Sequence, residues 1–134
     1  MKKLQAQAVI DKYLPLVIEL LGIQSQVINV KLVKSGQDGF SNDNFGVCNR
    51  KPEYKEATIH IFYEIHDTVA DLKVTLFHEI AHVFLGRYTN YQTMVNTTFD
   101  TWPSLTKAMD ESFRQADEEV TSELSHILAR VFEK

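Results

Sequence analysis

Apolar positions along this chain fall into blocks with two different periods. Within residues 4–21, Val9, Tyr13, Val17 and Leu20 sit at helical spacing, which predicts a helix with one core-facing stripe. Pro15 lies inside that stretch and is expected to kink or restart the helix, because proline lacks the N–H that closes a helical turn. Gly22 is a natural stop. The period then drops to two: Ile28, Val30 and Leu32 alternate with Asn29 and Lys31, the signature of a half-buried strand. A loop with two glycines follows from Ser35 to Asp43, and a second short strand is expected from Phe45 to Cys48. Asn49 to Glu53 reads as a turn. Ala57 to Tyr63 is rich in β-branched and aromatic residues, so it is a third strand, with Ile59 and Ile61 toward the core.

Asp67 or Thr68 can cap a helix running to about Arg87, with Asp71 in its first turn and Gly86 near its end. Its centre, Val74 to Leu85, is apolar nearly all round except for two histidines and a glutamate, and is therefore expected to lie between other elements. From Tyr88 to Pro103 no period emerges, and long loops of this kind are often functional lids; Trp102 and Pro103 are expected to anchor its end. A last helix, from about Ser104 to Phe132, aligns Phe113, Ala116, Val120, Leu124, Ile127 and Val131 on one stripe. These blocks predict one α+β domain over residues 1–134. In it a small, mainly antiparallel sheet packs against the central helix and the two terminal ones.

Charge narrows the partners. With 14 basic and 18 acidic residues the formal net charge is −4, whereas proteins that grip a phosphate backbone usually carry a basic surplus; nucleic acid is a poor default partner. No apolar run approaches the roughly 20 residues that span a bilayer, so no membrane role is expected. The polar interruptions after Met1-Lys2-Lys3 spoil a secretory apolar region. Cys48 is the single cysteine, which allows no internal disulfide and agrees with a reducing, cytoplasmic setting. Without a His and carboxylate tied to it by sequence, it reads as a small packed residue and not as a nucleophile.

The polar set inside the central helix is His78-Glu79-Ile80-Ala81-His82. Residues four apart stack on one helix face, so two imidazoles can converge on one ion, with the glutamate beside them. The expected ion is zinc, which brings a water's pKa toward about 7, and Glu79 is the expected general base and proton shuttle. A chance match to the pattern somewhere in this chain has a probability on the order of one in a hundred. The competing reading is two core histidines satisfied by hydrogen bonds, or a relic site without turnover. Burying such a triad without a partner would cost several kcal/mol, which favours the metal.

A catalytic zinc wants three protein ligands and a water. The acidic run on the last helix offers Glu118, Glu119 and Glu123; His60, His66 and His126 are the remaining histidines. On a helical wheel Glu119 and Glu123 flank the apolar stripe and Glu118 points away from it. Glu119 is therefore the expected third ligand, one turn from Glu123, which would orient a ligand imidazole from outside. Glu118, Glu123, His126 and His60 stay open as alternatives. Tyr88, Tyr91 and His126 are candidates to stabilise an oxyanion, and the strand Ala57 to Tyr63 could offer an edge to an extended peptide.

The segment Thr75-Leu76-Phe77-His78-Glu79-Ile80-Ala81-His82-Val83-Phe84-Leu85-Gly86, after a strand and before a Glu-bearing C-terminal helix, resembles the ImmA/IrrE-like metallopeptidases. That resemblance implies a compact gluzincin-type zinc enzyme that hydrolyses peptide bonds, in some members those of transcriptional repressors. It also implies His78, His82 and Glu119 as ligands. Glu119-Val120-Thr121-Ser122-Glu123 is similar to the Glu-x-x-x-Asp signature of larger gluzincins, which implies Glu123 as the outer residue. Phe45-Gly46-Val47-Cys48, followed by Ile59 and the motif, also resembles SprT-like DNA-associated proteases, whose third ligand is a downstream histidine; here that is His126. A metal-binding regulatory protein without turnover is the remaining alternative. A protein or peptide substrate is expected, while its identity and the oligomeric state are left open by the sequence.

Overall fold

A computed structural model of the protein describes residues 1–34, 45–51, 55–86 and 103–133. Helix α1 spans Lys3–Leu21, strand β1 Val27–Val33, β2 Gly46–Lys51 and β3 Glu56–Phe62. A short 3-10 turn, Tyr63–Ile65, leads to α2, Val69–Phe84, and the chain ends in α3, Pro103–Val131. This is the small α+β arrangement that the two periods predict.

The end of α1 and the start of α2 follow from local chemistry. In α1, Ala6, Val9, Ile10, Tyr13 and Val17 are buried, while Leu20, placed on the same stripe by spacing, is exposed. Pro15 neither breaks nor restarts α1. It lies on the exposed face, where water can satisfy the carbonyl one turn earlier. Gly22 ends the helix in the left-handed region at φ 68°, and its N–H bonds back into the last turn. At the start of α2, the Thr68 hydroxyl accepts a hydrogen bond from the Asp71 N–H at 3.1 Å, closing one of the helix's open donors.

The sheet order is β1-β3-β2. β3 pairs antiparallel with β2 (Gly46 opposite Ile61) but parallel with β1 (Val27 opposite Glu56). The sheet is thus evenly mixed and not mainly antiparallel. Alternation within a strand sets which face is buried, not the direction of its neighbour. β3 is also the middle strand, so it has no edge to offer an extended peptide; among the described strands the edges are β1 and β2.

Ala57, Ile59 and Ile61 of β3 join side chains of α1 and α2 in one apolar core, with Leu72, Leu76, Phe77, Ile80 and Val83 from α2. Tyr13 meets Phe77 edge-on at 6.1 Å, and both rings meet Phe132 just beyond α3. The Lys73 ammonium lies 4.4 Å from the Tyr13 ring centre and donates to the Phe132 carbonyl at 2.6 Å, tying the chain end to α2. The long stretch expected as a lid, including Tyr88, Tyr91 and Trp102, lies outside the described residues. Among the described residues no helix is long and apolar enough to cross a membrane.

Candidate metal centre

α2 carries His78 and His82 one turn apart. Their rings stand nearly perpendicular at 83° with centroids 5.0 Å apart, so they converge from one helix face. The third group comes from α3. Glu118 sends one carboxylate oxygen to 3.7 Å from His78 Nε2 and the other to 3.6 Å from His82 Nε2. One donor atom from each of these three residues lies within 4.8 Å of the others, and among the described residues this is the cluster able to hold a metal ion. Donors about 2.1 Å from a tetrahedral ion are separated by about 3.4 Å. The two carboxylate distances, one from each oxygen, are a few tenths of an ångström wider.

The structure brings Glu118, and not Glu119, to the imidazoles; Glu119 and Glu123 are both exposed and outside the cluster. The cause is the rotation of α3 about its axis. Half of the apolar stripe read from the sequence is in solvent, with Val120 47% and Ile127 52% exposed, whereas Thr121, Ser125 and Leu128 are buried. Helical positions 117, 121, 124, 125 and 128 form the face toward α2, and Glu118 borders it. Neither His126, which is exposed, nor His60 joins the group.

Asp117 stands beside the cluster. Its Oδ2 lies 3.5 Å from His82 Nδ1, and both side chains are largely buried. At that separation the two are within ion-pair distance, yet His82 Nδ1 and Asp117 Oδ1 have no hydrogen-bond partner. A shift of a few tenths of an ångström would bring Nδ1 and Oδ2 to hydrogen-bond distance. With Nε2 turned to the cluster, Nδ1 is the nitrogen left to carry the proton, and it points at a carboxylate that can hold the ring in that tautomer.

His66 behaves differently. It is buried, and both ring nitrogens are satisfied at 2.8 Å, Nδ1 donating to the Phe62 carbonyl and Nε2 accepting from the Thr75 hydroxyl. Burial lowers its pKa below the ordinary histidine value, which keeps it neutral in that role. It is a core histidine joining the end of β3 to α2.

Glu79 lies in the same cavity of about 400 Å³ as the three cluster residues, and Gly46, Cys48 and Arg50 of β2 form the opposite wall. It is 6% exposed. Burial first, then the Glu118 charge, push its pKa up to about 7, against the pull of Arg50. Gly46 leaves room where β2 passes: a Cβ there would sit tightly, 3.0 Å from the Thr75 methyl and 3.3 Å from Glu79 Cγ. Burial lowers the pKa of His82 despite Glu118 and Asp117, favouring the neutral imidazole that can ligate a cation. The Cys48 thiol is pushed up to about 12, by burial and then by Glu79, so it remains a protonated, packed group as its sequence context suggests.

The sequence reading expected His78, His82 and Glu119 to converge with Glu79 beside them; the structure gathers His78, His82 and Glu118, with Glu79 in the same cavity and Asp117 next to His82. Arg50 was passed over as a turn residue; β2 runs through Asn49 to Lys51, and the Arg50 guanidinium donates to the His82 carbonyl at 2.6 Å. No family model matches this chain, and neither does any curated protein or solved structure.

Proposed function

We propose that the protein is a zinc-dependent peptidase, with His78, His82 and Glu118 as the ligands and Glu79 as the general base. The observation that carries the reading is one cavity in which two imidazoles and a carboxylate converge beside a buried carboxyl with a pKa near 7. Two nitrogen donors and one oxygen donor make a set that suits zinc and leaves a position open for water. When bound there, zinc would supply Lewis acidity, making a water acidic and a carbonyl electrophilic.

The chain's own groups then have separable tasks. Glu79 takes a proton from the attacking water and returns it to the departing amine. A group that titrates near neutrality can do both, because neither transfer is strongly uphill. Asp117 holds the His82 ring by its Nδ1 side, fixing which nitrogen faces the ion. Gly46 lets β2 lie against Glu79, which narrows the cavity and limits the water around the carboxyl. The resemblance of Thr75 to Gly86 to the ImmA/IrrE-like enzymes points to the same chemistry.

Metal analysis of the purified protein, followed by peptide hydrolysis with the wild type beside Glu79→Gln, tests this. The variant is expected to retain zinc while losing about 10²–10⁴-fold in kcat. Hydrolysis at the wild-type rate by Glu79→Gln, or a wild type that takes up no metal, would overturn the reading.

A further inference from the structure

A second cavity, of about 530 Å³, adjoins the metal centre at the C-terminal end of α2, within the size range of sites that hold small ligands or side chains. Its walls include Leu21 at the end of α1, Ile23 just beyond it, Val83 and Phe84 of α2, and Lys55. Arg50 lines both this cavity and the metal cavity.

The environment of that guanidinium is unusual. Arg50 is partly buried and donates one hydrogen bond, to the His82 carbonyl. It takes part in none of the ion pairs among the described residues. A guanidinium carries five donors in a planar fork shaped for a carboxylate, and charged side chains withdrawn from water are normally paired. Here one donor is fixed by a backbone carbonyl of the motif helix, and the residue lines both cavities. Lys55 adds a second positive charge to the cavity wall against the single negative charge of Glu56.

We propose that Arg50 is the specificity-determining residue of this site, and that it receives a carboxylate of the substrate in the cavity beside the metal. The inference rests on the peptidase reading and names its substrate class: peptides with a carboxylate near the bond cut. Gly46 stands beside Glu79, and Arg50, further along the same strand, lines the metal cavity as well as the second one. The carboxylate can belong to an aspartate or glutamate side chain or to the chain terminus, since either fits the same fork.

The test uses the zinc-loaded protein and a set of fluorogenic peptides of one core sequence. Asp or Glu is compared with Asn or Gln at each position flanking the cleaved bond, and each peptide is made with a free and with an amidated C-terminus. Carboxylate peptides are expected to exceed their amide counterparts by about ten- to a hundredfold in kcat/KM, as for a charge-assisted pair. The position of the effect separates side chain from terminus. Arg50→Gln is expected to erase the preference, so that carboxylate and amide peptides are cleaved with equal kcat/KM, and Arg50→Lys to restore part of it. A purely structural Arg50 would lower kcat/KM on all peptides by the same factor and leave the preference in place. Wild-type protein that cleaves peptides without regard to the carboxylate overturns this proposal and leaves the peptidase reading standing. Protein that cleaves none of them overturns both. Should Arg50→Gln fail to fold, the wild-type preference and its change in Arg50→Lys still decide.

Discussion

Along α2 the residues around the ligands are core: Phe77, Ile80 and Ala81 are fully buried and Val83 nearly so. Along α3 the buried positions near the cluster are Thr121 and Ser125, while Val120, Ile127 and Val131 stand in solvent. One helix thus holds its imidazoles within packing that involves the sheet and α1; the other presents Asp117 and Glu118 from a seam of small polar residues. Small side chains let two helices approach closely, and close approach is what carries a short carboxylate across to a histidine. The difference teaches that α3 is placed by what the site needs opposite it, with Leu128 as its fully buried apolar anchor.

The sharpest way to break that comparison is to exchange carboxylates on α3. Glu118→Gln is expected to weaken zinc binding on the order of a hundredfold or more, and Asp117→Asn by about tenfold, through loss of support for the His82 ring. Glu119→Gln and Glu123→Gln should leave the affinity unchanged. Competition titration against a chelating dye reads all four. A loss at Glu119 in place of Glu118 would mean that α3 is rotated by about one position from the placement described here.

Stability offers the next contrast. Leu128→Ala removes a fully buried side chain and is expected to cost about 2–4 kcal/mol, whereas Ile127→Ala, one residue away and half exposed, should stay within about 0.5 kcal/mol. Urea unfolding of the two proteins would decide it. Equal losses would return the apolar stripe of the sequence to the core.

The smallest effect is a pH dependence on the α2 side. In metal-free protein the Glu79 pKa is raised from 4.5 to about 7. Between those values the unfolded chain has released a proton that the folded one still holds, so this group's contribution makes stability fall as pH rises. Glu79→Gln lacks that loss. Its stability relative to wild type is therefore expected to climb from about pH 4.5, by about 1–3 kcal/mol, and to level off above about 7. His66, whose lowered pKa makes stability fall toward acid, is common to both proteins and cancels in the difference. A flat difference in thermal unfolding would show that Glu79 is not desolvated.

Much of this was legible in the sequence, for identifiable reasons. The alternation of Ile28, Val30 and Leu32, the Thr68 cap, the Gly22 stop and the His78–His82 spacing are local signals, and each acts within a few residues. The parallel partnership of β1 and β3 joins residues 29 positions apart, and no period within either strand encodes it. α3 misled for a physical reason. Its strongest apolar stripe is not its buried face, because Thr121 and Ser125 occupy the contact next to the cluster. A wheel drawn on hydrophobicity consequently turned the helix toward Glu119. Arg50 was hidden because Asn49-Arg50-Lys51-Pro52 has turn composition, although pairing with β3 keeps residues 49–51 extended.

The division of the ligands between α2 and α3 also has a consequence for biosynthesis. His82 precedes Glu118 by 36 positions, which a ribosome needs about 2–7 s to add. During that interval the nascent chain offers the two imidazoles of the cluster without its carboxylate, and a two-point grip is weak and exchangeable. A metal held by all three groups would be captured tightly only after α3 has emerged and docked.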